Sequence, residues 1–220
     1  MRLEGPAITD GAASVESREF LWSTGDAPES HGYVAEPVVR ALRAAGARTV
    51  LDLGCGNGAL TAVLAREGFE TLGADASESG VRIARARHPG LRFDVIDVSA
   101  GPLPAELHNR FDAVAAIEVI EHLLLPRMLF VGALQALRPG GTFVVTTPYH
   151  GYLKNLALAL VDGFDAHWHP LRDYGHVKFF SPRTLGALFA EFGLRDIRWR
   201  SAGRIPPLAK SMIFSGTKPA

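Results

Sequence analysis

Short apolar runs alternate with helical patterns along most of the chain, and this alternation limits the folds that it can adopt. Runs such as TVLDLG and TFVVTT are β-branched and apolar, as buried parallel strands are. The segments between such runs, among them LTAVLARE, SESGVRIARARH and RMLFVGALQALRPGG, carry apolar residues at helical spacing, and Pro-Gly-Gly is expected to stop the last of these helices. Five strands interleaved with helices predict an α/β fold with a doubly wound, mostly parallel sheet.

The two ends of the chain depart from this alternation. EPVVRALRAAG predicts a helix with Pro37 in its first turn and Gly46 at its end. At the other end, LRDIRWR and KSMIFSGTK have strand patterns, and only the proline-rich SAGRIPPLA lies between them. Because no helix connects these two strands, we expect them to pair antiparallel.

Composition excludes several classes of protein. Lys+Arg (23) balance Asp+Glu (23), so we expect neither a nucleic-acid partner nor stable membrane insertion. The single cysteine excludes an intrachain disulfide and favours a cytoplasmic protein. The start of the chain lacks the apolar core of a signal peptide, and no apolar stretch is long enough to span a bilayer. At 220 residues we expect one domain over 1–220, as a monomer or homodimer.

Two segments are expected to cover this domain. Residues 1–30 are rich in small and acidic residues, with EFLW as their one apolar cluster, which predicts an N-terminal arm or cap. Residues 148–180 form an insertion after the fifth strand and contain four of the eight histidines together with Tyr149, Tyr152 and Trp168. An aromatic, histidine-rich insertion at this place predicts a substrate lid.

The first strand leads into a glycine-rich turn, LDLGCGNGAL. Glycines there let the backbone approach a ligand closely, and the next helix directs free N–H groups at it. Asp75 ends the second strand about twenty residues on, where an acid can bond both ribose hydroxyls. Asp97 ends the third strand, within reach of an adenine amino group. This spacing fits dinucleotides and S-adenosylmethionine.

LDLGCGNG resembles the first motif of class I S-adenosylmethionine-dependent methyltransferases, and the two strand-end acids and LRPGG extend the resemblance over residues 48–147. The terminal strand pair is similar to that family's last strands, so the resemblance implies a Rossmann-like sheet of seven strands with the last one reversed. It also implies that the glycines pass beneath the cofactor S-adenosylmethionine. The expected cofactor-binding residues are Asp52, Gly54, Cys55, Gly56, Asp75, Ala76, Asp97, Val98 and Glu118. For Asp52 the alternative is a structural role in orienting the turn.

The fourth strand ends in a cluster of ionisable residues, AIEVIEHLLL. If a helical turn begins here, Glu118, Glu121 and His122 stand on one face, at i, i+3 and i+4. Two carboxylates and an imidazole form a partial coordination sphere for a divalent ion. The alternatives are that Glu118 contacts the cofactor or caps the helix, that Glu121 pairs with Arg127, and that His122 acts as a base.

E-x-x-E-H at the end of strand four, followed by a later histidine, resembles ubiquinone-biosynthesis O-methyltransferases and, more distantly, small-RNA 2′-O-methyltransferases. In those groups the corresponding residues hold a metal beside the hydroxyl that receives the methyl. The resemblance implies a site for Mg²⁺ or Zn²⁺ with Glu118, Glu121, His122 and His176 as ligands. The insertion departs from these groups, with no recognisable quinone or RNA end-binding signature.

Three functional hypotheses follow. The first is O-methylation of a small molecule, a phenol or vicinal diol, with metal assistance; its catalytic candidates are Glu121, His122 and His150. The second is a metal-independent N-, C- or S-methyltransferase in which a histidine serves as base. The third is a non-catalytic protein that binds S-adenosylmethionine.

Overall fold

A computed structural model describes residues 22–168, 170–171, 174–206 and 208–220. The N-terminal arm predicted for residues 1–30 lies mostly outside the described residues. His169, one of the histidines of the insertion, also lies outside them.

Within the described residues, seven strands form one sheet in the order β3-β2-β1-β4-β5-β7-β6. The strands are β1 (Thr49–Leu53), β2 (Glu70–Asp75), β3 (Arg92–Val95), β4 (Phe111–Ile117), β5 (Leu137–Pro148), β6 (Arg195–Ala202) and β7 (Ser211–Thr217). Strand β7 runs antiparallel to both of its neighbours, whereas the pairs among β1 to β5 are parallel. The predicted seven-stranded, doubly wound sheet with a reversed last strand is therefore confirmed.

The apolar runs of the sequence are explained by a sheet that is covered on both faces. The α-helices are α1 (His31–Ala44), α2 (Ala59–Arg66), α3 (Glu78–Arg87), α4 (Pro126–Ala136), α5 (Tyr152–Leu160), α6 (Phe164–Trp168) and α7 (Pro182–Glu191). Along β4, Val114 and Ala116 belong to the core with α4 and α7, whereas Ala113 and Ala115 belong to the core with α1 and α2. Successive side chains of a strand point to opposite faces, so every position here is buried.

Two element boundaries differ from the sequence prediction. Helix α1 begins at His31, so Pro37 lies inside the helix instead of in its first turn, where its missing N–H would cost no hydrogen bond. Helix α4 ends at Ala136, before the Pro-Gly-Gly segment that was predicted to stop it. That segment forms an irregular start of β5, where Gly140 has a φ of +78° and the pairing with β4 shifts.

The insertion lies between β5 and α7 and contains α5 and α6. Helix α5 buries none of its residues, and its exposed apolar side chains include Tyr152, Leu153 and Leu160. In the described part of the chain, no helix combines the length and apolar character that crossing a membrane requires.

Candidate active site

A cavity of about 1700 Å³ opens at the carboxyl edge of the sheet. Its walls come from the ends of β1, β2 and β4, from the insertion, and from the segment that precedes β7. Because a pocket for one drug-sized ligand is typically about 300–1,000 Å³, this cavity has room for two ligands side by side. Six of the predicted cofactor residues line it, namely Gly54, Asp75, Ala76, Asp97, Val98 and Glu118.

The glycine turn brings backbone close to this cavity. Gly54 has a φ of +89°, and a Cβ there would collide with Cγ2 of Val119. The carboxylate of Asp75 accepts hydrogen bonds from the backbone N–H groups of Gly56 and Ser77, both at 2.7 Å. These bonds fix the orientation of the Asp75 side chain at the cavity wall.

Asp52 belongs to β1 and Cys55 to the turn; both are buried and are not among the described residues that line the cavity. Thr61 Oγ1 donates a hydrogen bond of 2.6 Å to the Asp52 carboxylate. Burial raises the pKa of Asp52 to about 7, and it raises the pKa of the Cys55 thiol above its usual range. Cys55 packs in a small core with Phe93, so both positions fit a role in supporting the turn.

Gly56 also lies behind the cavity surface, because the indole of Trp22 covers it. A Cβ on Gly56 would meet Cζ2 of that indole, and Trp22 itself lines the cavity. The Trp22 backbone N–H donates to Ser79 Oγ at 3.2 Å. Sequence reasoning missed Trp22 as a site residue, because its only signal was membership of the apolar EFLW cluster.

Glu118 faces the cavity from the end of β4. Its backbone is left-handed, with a φ of +56°, and its N–H donates to Thr146 Oγ1 at 3.0 Å. Its carboxylate accepts hydrogen bonds from Thr146 Oγ1 at 2.8 Å and from Ser211 Oγ at 3.3 Å. Burial raises the pKa of Glu118 to about 7, although these two hydrogen bonds act in the opposite direction. The side chain is therefore tied to β5 and β7.

The α-helical turn that would align Glu118 with Glu121 and His122 does not form. Only a short 3₁₀ turn is present, at Ile120–His122, and Glu118 precedes it. Donor atoms of Glu121, His122 and His176 lie within 4.8 Å of one another, and Glu118 is not a member of this group. The structure thus brings together three of the four predicted metal ligands.

Glu121 is the buried member of this group, with 1% of its surface exposed. Within the described residues its two carboxylate oxygens have no hydrogen bond of normal geometry, although the nearby Thr147 hydroxyl lowers its pKa somewhat. Burial and, second, the charge of Glu118 raise the pKa of Glu121 well above its usual range. A buried carboxylate in such surroundings is costly unless a cation or proton accompanies it.

Hydrogen bonds to backbone groups connect the segment of Glu121 and His122 with the segment that contains His176. The carbonyl oxygen of Glu121 accepts hydrogen bonds from the N–H groups of Val177 and Lys178 at 2.8 and 3.0 Å. The Nδ1 atom of His122 lies 3.0 Å from the carbonyl oxygen of Tyr174 and therefore donates to it. The rings of His122 and His176 meet edge to face, with centroids 4.9 Å apart.

His150 lines another part of the cavity, inside an aromatic cluster. Its ring meets that of Phe179 edge to face at 5.1 Å, and His167 and Trp168 lie nearby. Burial, with a smaller contribution from the charge of Lys154, lowers the pKa of His150 to about 4. At neutral pH this imidazole is therefore uncharged, and its lowered pKa makes it a weaker base than an ordinary histidine.

Comparison with known proteins identifies the class of protein to which the chain belongs. A family model described as a methyltransferase domain matches residues 28–198, and the chain belongs to this family. The protein is therefore an S-adenosylmethionine-dependent methyltransferase, as the sequence predicted, and S-adenosylmethionine is its methyl donor.

Curated relatives share the name ubiquinone biosynthesis O-methyltransferase. The protein of that name from Roseobacter denitrificans is 31% identical over 186 residues, which cover 78% of this chain and 73% of the relative. The one from Ruegeria sp. is 35% identical over 151 residues, which cover 67% of this chain and 60% of the relative. A Cereibacter sphaeroides protein is 32% identical over 169 residues, 76% of this chain and 64% of the relative. The chain thus spans less than two thirds of several of these relatives.

Solved structures share the fold. The YcgJ protein of Bacillus subtilis has a TM-score of 0.65 at 16% identity, covering 84% of this chain and 98% of that one. Phosphoethanolamine N-methyltransferase 2 of Haemonchus contortus, in complex with S-adenosyl-L-methionine, has a TM-score of 0.58 at 18% identity, covering 79% and 49%. At these identities the likeness concerns the fold alone.

Proposed function

We propose that the protein transfers the methyl group of S-adenosylmethionine to an oxygen of a small molecule, a phenol or a vicinal diol, beside a divalent metal ion. The observation that carries this proposal is the group of Glu121, His122 and His176, whose donor atoms lie within 4.8 Å of one another. The names of the curated relatives support an oxygen as the acceptor atom.

The half of the cavity lined by the ends of the first strands has the polar groups that S-adenosylmethionine requires. Asp75 ends β2 and Asp97 lies two residues after the end of β3, at the edge of the sheet where acids bind the ribose and adenine of a nucleoside. Gly54 lines this half of the cavity, and the absence of a Cβ lets its backbone pack directly against the side chain of Val119. Glu118, tied to Thr146 and Ser211, is placed to bind the ammonium group of the methionine part.

The carboxylate and the two imidazoles of this group suit a metal ion. One buried carboxylate with two imidazoles, leaving a position for a substrate, is typical of catalytic zinc sites, whereas Mg²⁺ prefers oxygen ligands alone. Glu121 fits because its buried carboxylate oxygens lack other good partners among the described residues. When bound, the ion lowers the pKa of a coordinated hydroxyl and so makes it a better nucleophile.

The protein's own groups position the reactants and accept the proton. The hydrogen bond from His122 Nδ1 to the Tyr174 carbonyl fixes the tautomer in which Nε2 carries the lone pair. His150 is a histidine of the cavity wall whose lone pair no metal would use, although its lowered pKa makes it a weaker proton acceptor than an ordinary histidine. Leu123 and Leu129 line the same cavity and reduce its water content, which favours in-line transfer from a sulfonium.

The experiment that tests the proposal combines cofactor binding with turnover. S-Adenosylhomocysteine is titrated into chelator-treated protein, and methyl transfer to catechol is then measured with and without added Zn²⁺ or Mg²⁺. We expect binding in all conditions and turnover that needs the metal and is lost in Glu121→Ala. Turnover that resists chelation would instead select a metal-independent methyltransferase with His150 or His122 as base, and absence of cofactor binding would contradict both.

A further inference from the structure

Two cationic side chains of the cavity wall have no part in the chemistry described so far. Lys154 belongs to α5 and Arg204 to the segment between β6 and β7, and both line the cavity. Lys154 is half-buried, and its ammonium group donates a hydrogen bond of 2.9 Å to the carbonyl oxygen of Tyr149. Within the described residues, neither cation forms a salt bridge with a carboxylate.

These two cations line the same cavity, and the charge of one acts on the other. After burial, the charge of Arg204 is the next cause of the lowered pKa of Lys154, and the charge of Glu118 opposes it. A third cation of the cavity, Lys210, is already satisfied by an ion pair of 2.8 Å with Glu29. An anion seated between Lys154 and Arg204 would remove their repulsion and replace lost hydration.

We propose that Lys154 and Arg204 form a subsite for the carboxylate of a bound ligand. A guanidinium presents a planar fork of N–H donors that matches a carboxylate, and the lysine adds a point charge from a second element. When ionised, Glu118 adds a negative charge to the same cluster, and this charge favours a singly charged carboxylate over a doubly charged phosphate.

The inference rests on the proposed function, because the two reactants are the two sources of such a carboxylate. One source is the methionine part of S-adenosylmethionine, whose ammonium group would then meet Glu118. The other source is an acidic acceptor, such as a phenol that carries a carboxylate on its ring. The subsite would recognise both carboxylates in the same way. Ligands that lack the carboxylate therefore distinguish the two sources by experiment.

The test uses Lys154→Met and Arg204→Met in the metal-supplemented protein, with Arg200→Met as the matched control. Arg200 is an exposed arginine of β6 and is not among the described residues that line the cavity. Calorimetry measures the affinity for S-adenosylmethionine and for its decarboxylated analogue. It then measures, on the complex with S-adenosylhomocysteine, the affinity for 3,4-dihydroxybenzoate and for 4-methylcatechol.

If the cofactor supplies the carboxylate, both variants lower the affinity for S-adenosylmethionine by about tenfold or more and leave the affinity for its decarboxylated analogue unchanged. If the acceptor supplies it, the wild type prefers the dihydroxybenzoate to 4-methylcatechol, and both variants lose that preference. Lys154→Gln and Arg204→Gln replace any variant whose unfolding temperature shows that it does not fold. The control should behave as the wild type throughout.

Two results would count against the subsite in different ways. If the variants keep their affinity for S-adenosylmethionine and the wild type shows no preference for the acid, the subsite is refuted, while metal-dependent turnover leaves the proposed function intact. If the wild type does not bind S-adenosylmethionine at all, the proposed function fails and the subsite fails with it.

Discussion

Arg127 forms a two-point ion pair with Glu191, in which Nε lies 2.6 Å from Oε1 and Nη2 lies 2.9 Å from Oε2. The sequence alternative that paired Arg127 with Glu121 is therefore wrong. Arg127 is the second residue of α4 and points outward to the end of α7, whereas the Glu121 carboxylate points into the protein. As a result, no arginine or lysine forms an ion pair with Glu121 within the described residues, and its carboxylate is available for a metal.

The first prediction concerns this carboxylate. We expect Glu121→Gln to weaken Zn²⁺ binding by more than about 100-fold, because it removes the one anionic ligand of the group. In metal-free protein we expect the variant to be at least as stable as the wild type, because a neutral amide replaces a carboxyl that is costly to bury. Calorimetric titration of Zn²⁺ and thermal unfolding measure the two effects.

The matched control is Glu191→Gln, which removes a carboxylate of the same type from a surface ion pair. An exposed ion pair contributes little to stability, so we expect a small loss of stability and unchanged Zn²⁺ affinity. Equal Zn²⁺ affinity in wild type and Glu121→Gln would contradict the proposed metal site.

The second prediction concerns the ribose acid. We expect Asp75→Asn to lower the affinity for S-adenosylhomocysteine by about 10- to 100-fold, because charge-assisted hydrogen bonds contribute about 1.5–3 kcal/mol each. The control is Asp94→Asn on the neighbouring strand, whose carboxylate pairs with Arg92 at 2.8 Å and which is not among the described cavity residues. Titration calorimetry compares the two variants, and a similar loss in both would argue against Asp75 as a cofactor residue.

The third prediction concerns pH and Asp52. Its pKa is about 7 in the folded protein, above the ordinary value of 3.8, so the folded state keeps a proton that the unfolded chain releases. The free energy of unfolding should therefore fall as pH rises from about 4 to about 7, by on the order of 4 kcal/mol at most. Asp52→Asn removes this effect, so its stability relative to the wild type should rise across that window and then level off.

Denaturant unfolding at a series of pH values measures this difference, and Asp112→Asn is the control. Desolvation raises the pKa of Asp112, but hydrogen bonds from Thr49 and Arg48 outweigh it and hold that pKa below its ordinary value. Both states of this group are ionised above about pH 5, so its variant should differ from the wild type by a constant amount there. A constant difference for Asp52→Asn as well would refute the prediction.

The fold could be predicted from the sequence because its signal is repeated. β1, β2, β4 and the later part of β5 each contain a short apolar run that is buried on both faces, and a helical pattern follows each of the first two. The antiparallel pairing of β6 and β7 followed from the absence of a helix between them, and it is confirmed.

The geometry of the site was less predictable, because it depends on contacts between distant segments. The left-handed backbone of Glu118 is accompanied by hydrogen bonds to Thr146 and Ser211, which lie 28 and 93 residues away. Helical spacing therefore gave the wrong alignment there. Lys154 and Arg204 were missed since an isolated cation in an insertion or loop carries no local pattern.

The last prediction separates the close approach at Gly54 from ordinary backbone strain. Gly54→Ala places a Cβ against Val119 and forces a left-handed backbone on alanine, whereas Gly46→Ala has the same strain, at a φ of +67°, with nothing within 4 Å. We expect Gly46→Ala to lower the free energy of unfolding by about 1 kcal/mol and to leave cofactor affinity unchanged. Gly54→Ala should lower the free energy of unfolding by about 2–4 kcal/mol. It should also lower the affinity for S-adenosylhomocysteine at least about tenfold, because displacing Val119 also moves the turn beside Glu118. Denaturant unfolding and calorimetry measure both quantities, and equal effects of the two substitutions would mean that the contact between Gly54 and Val119 does not shape the cofactor site.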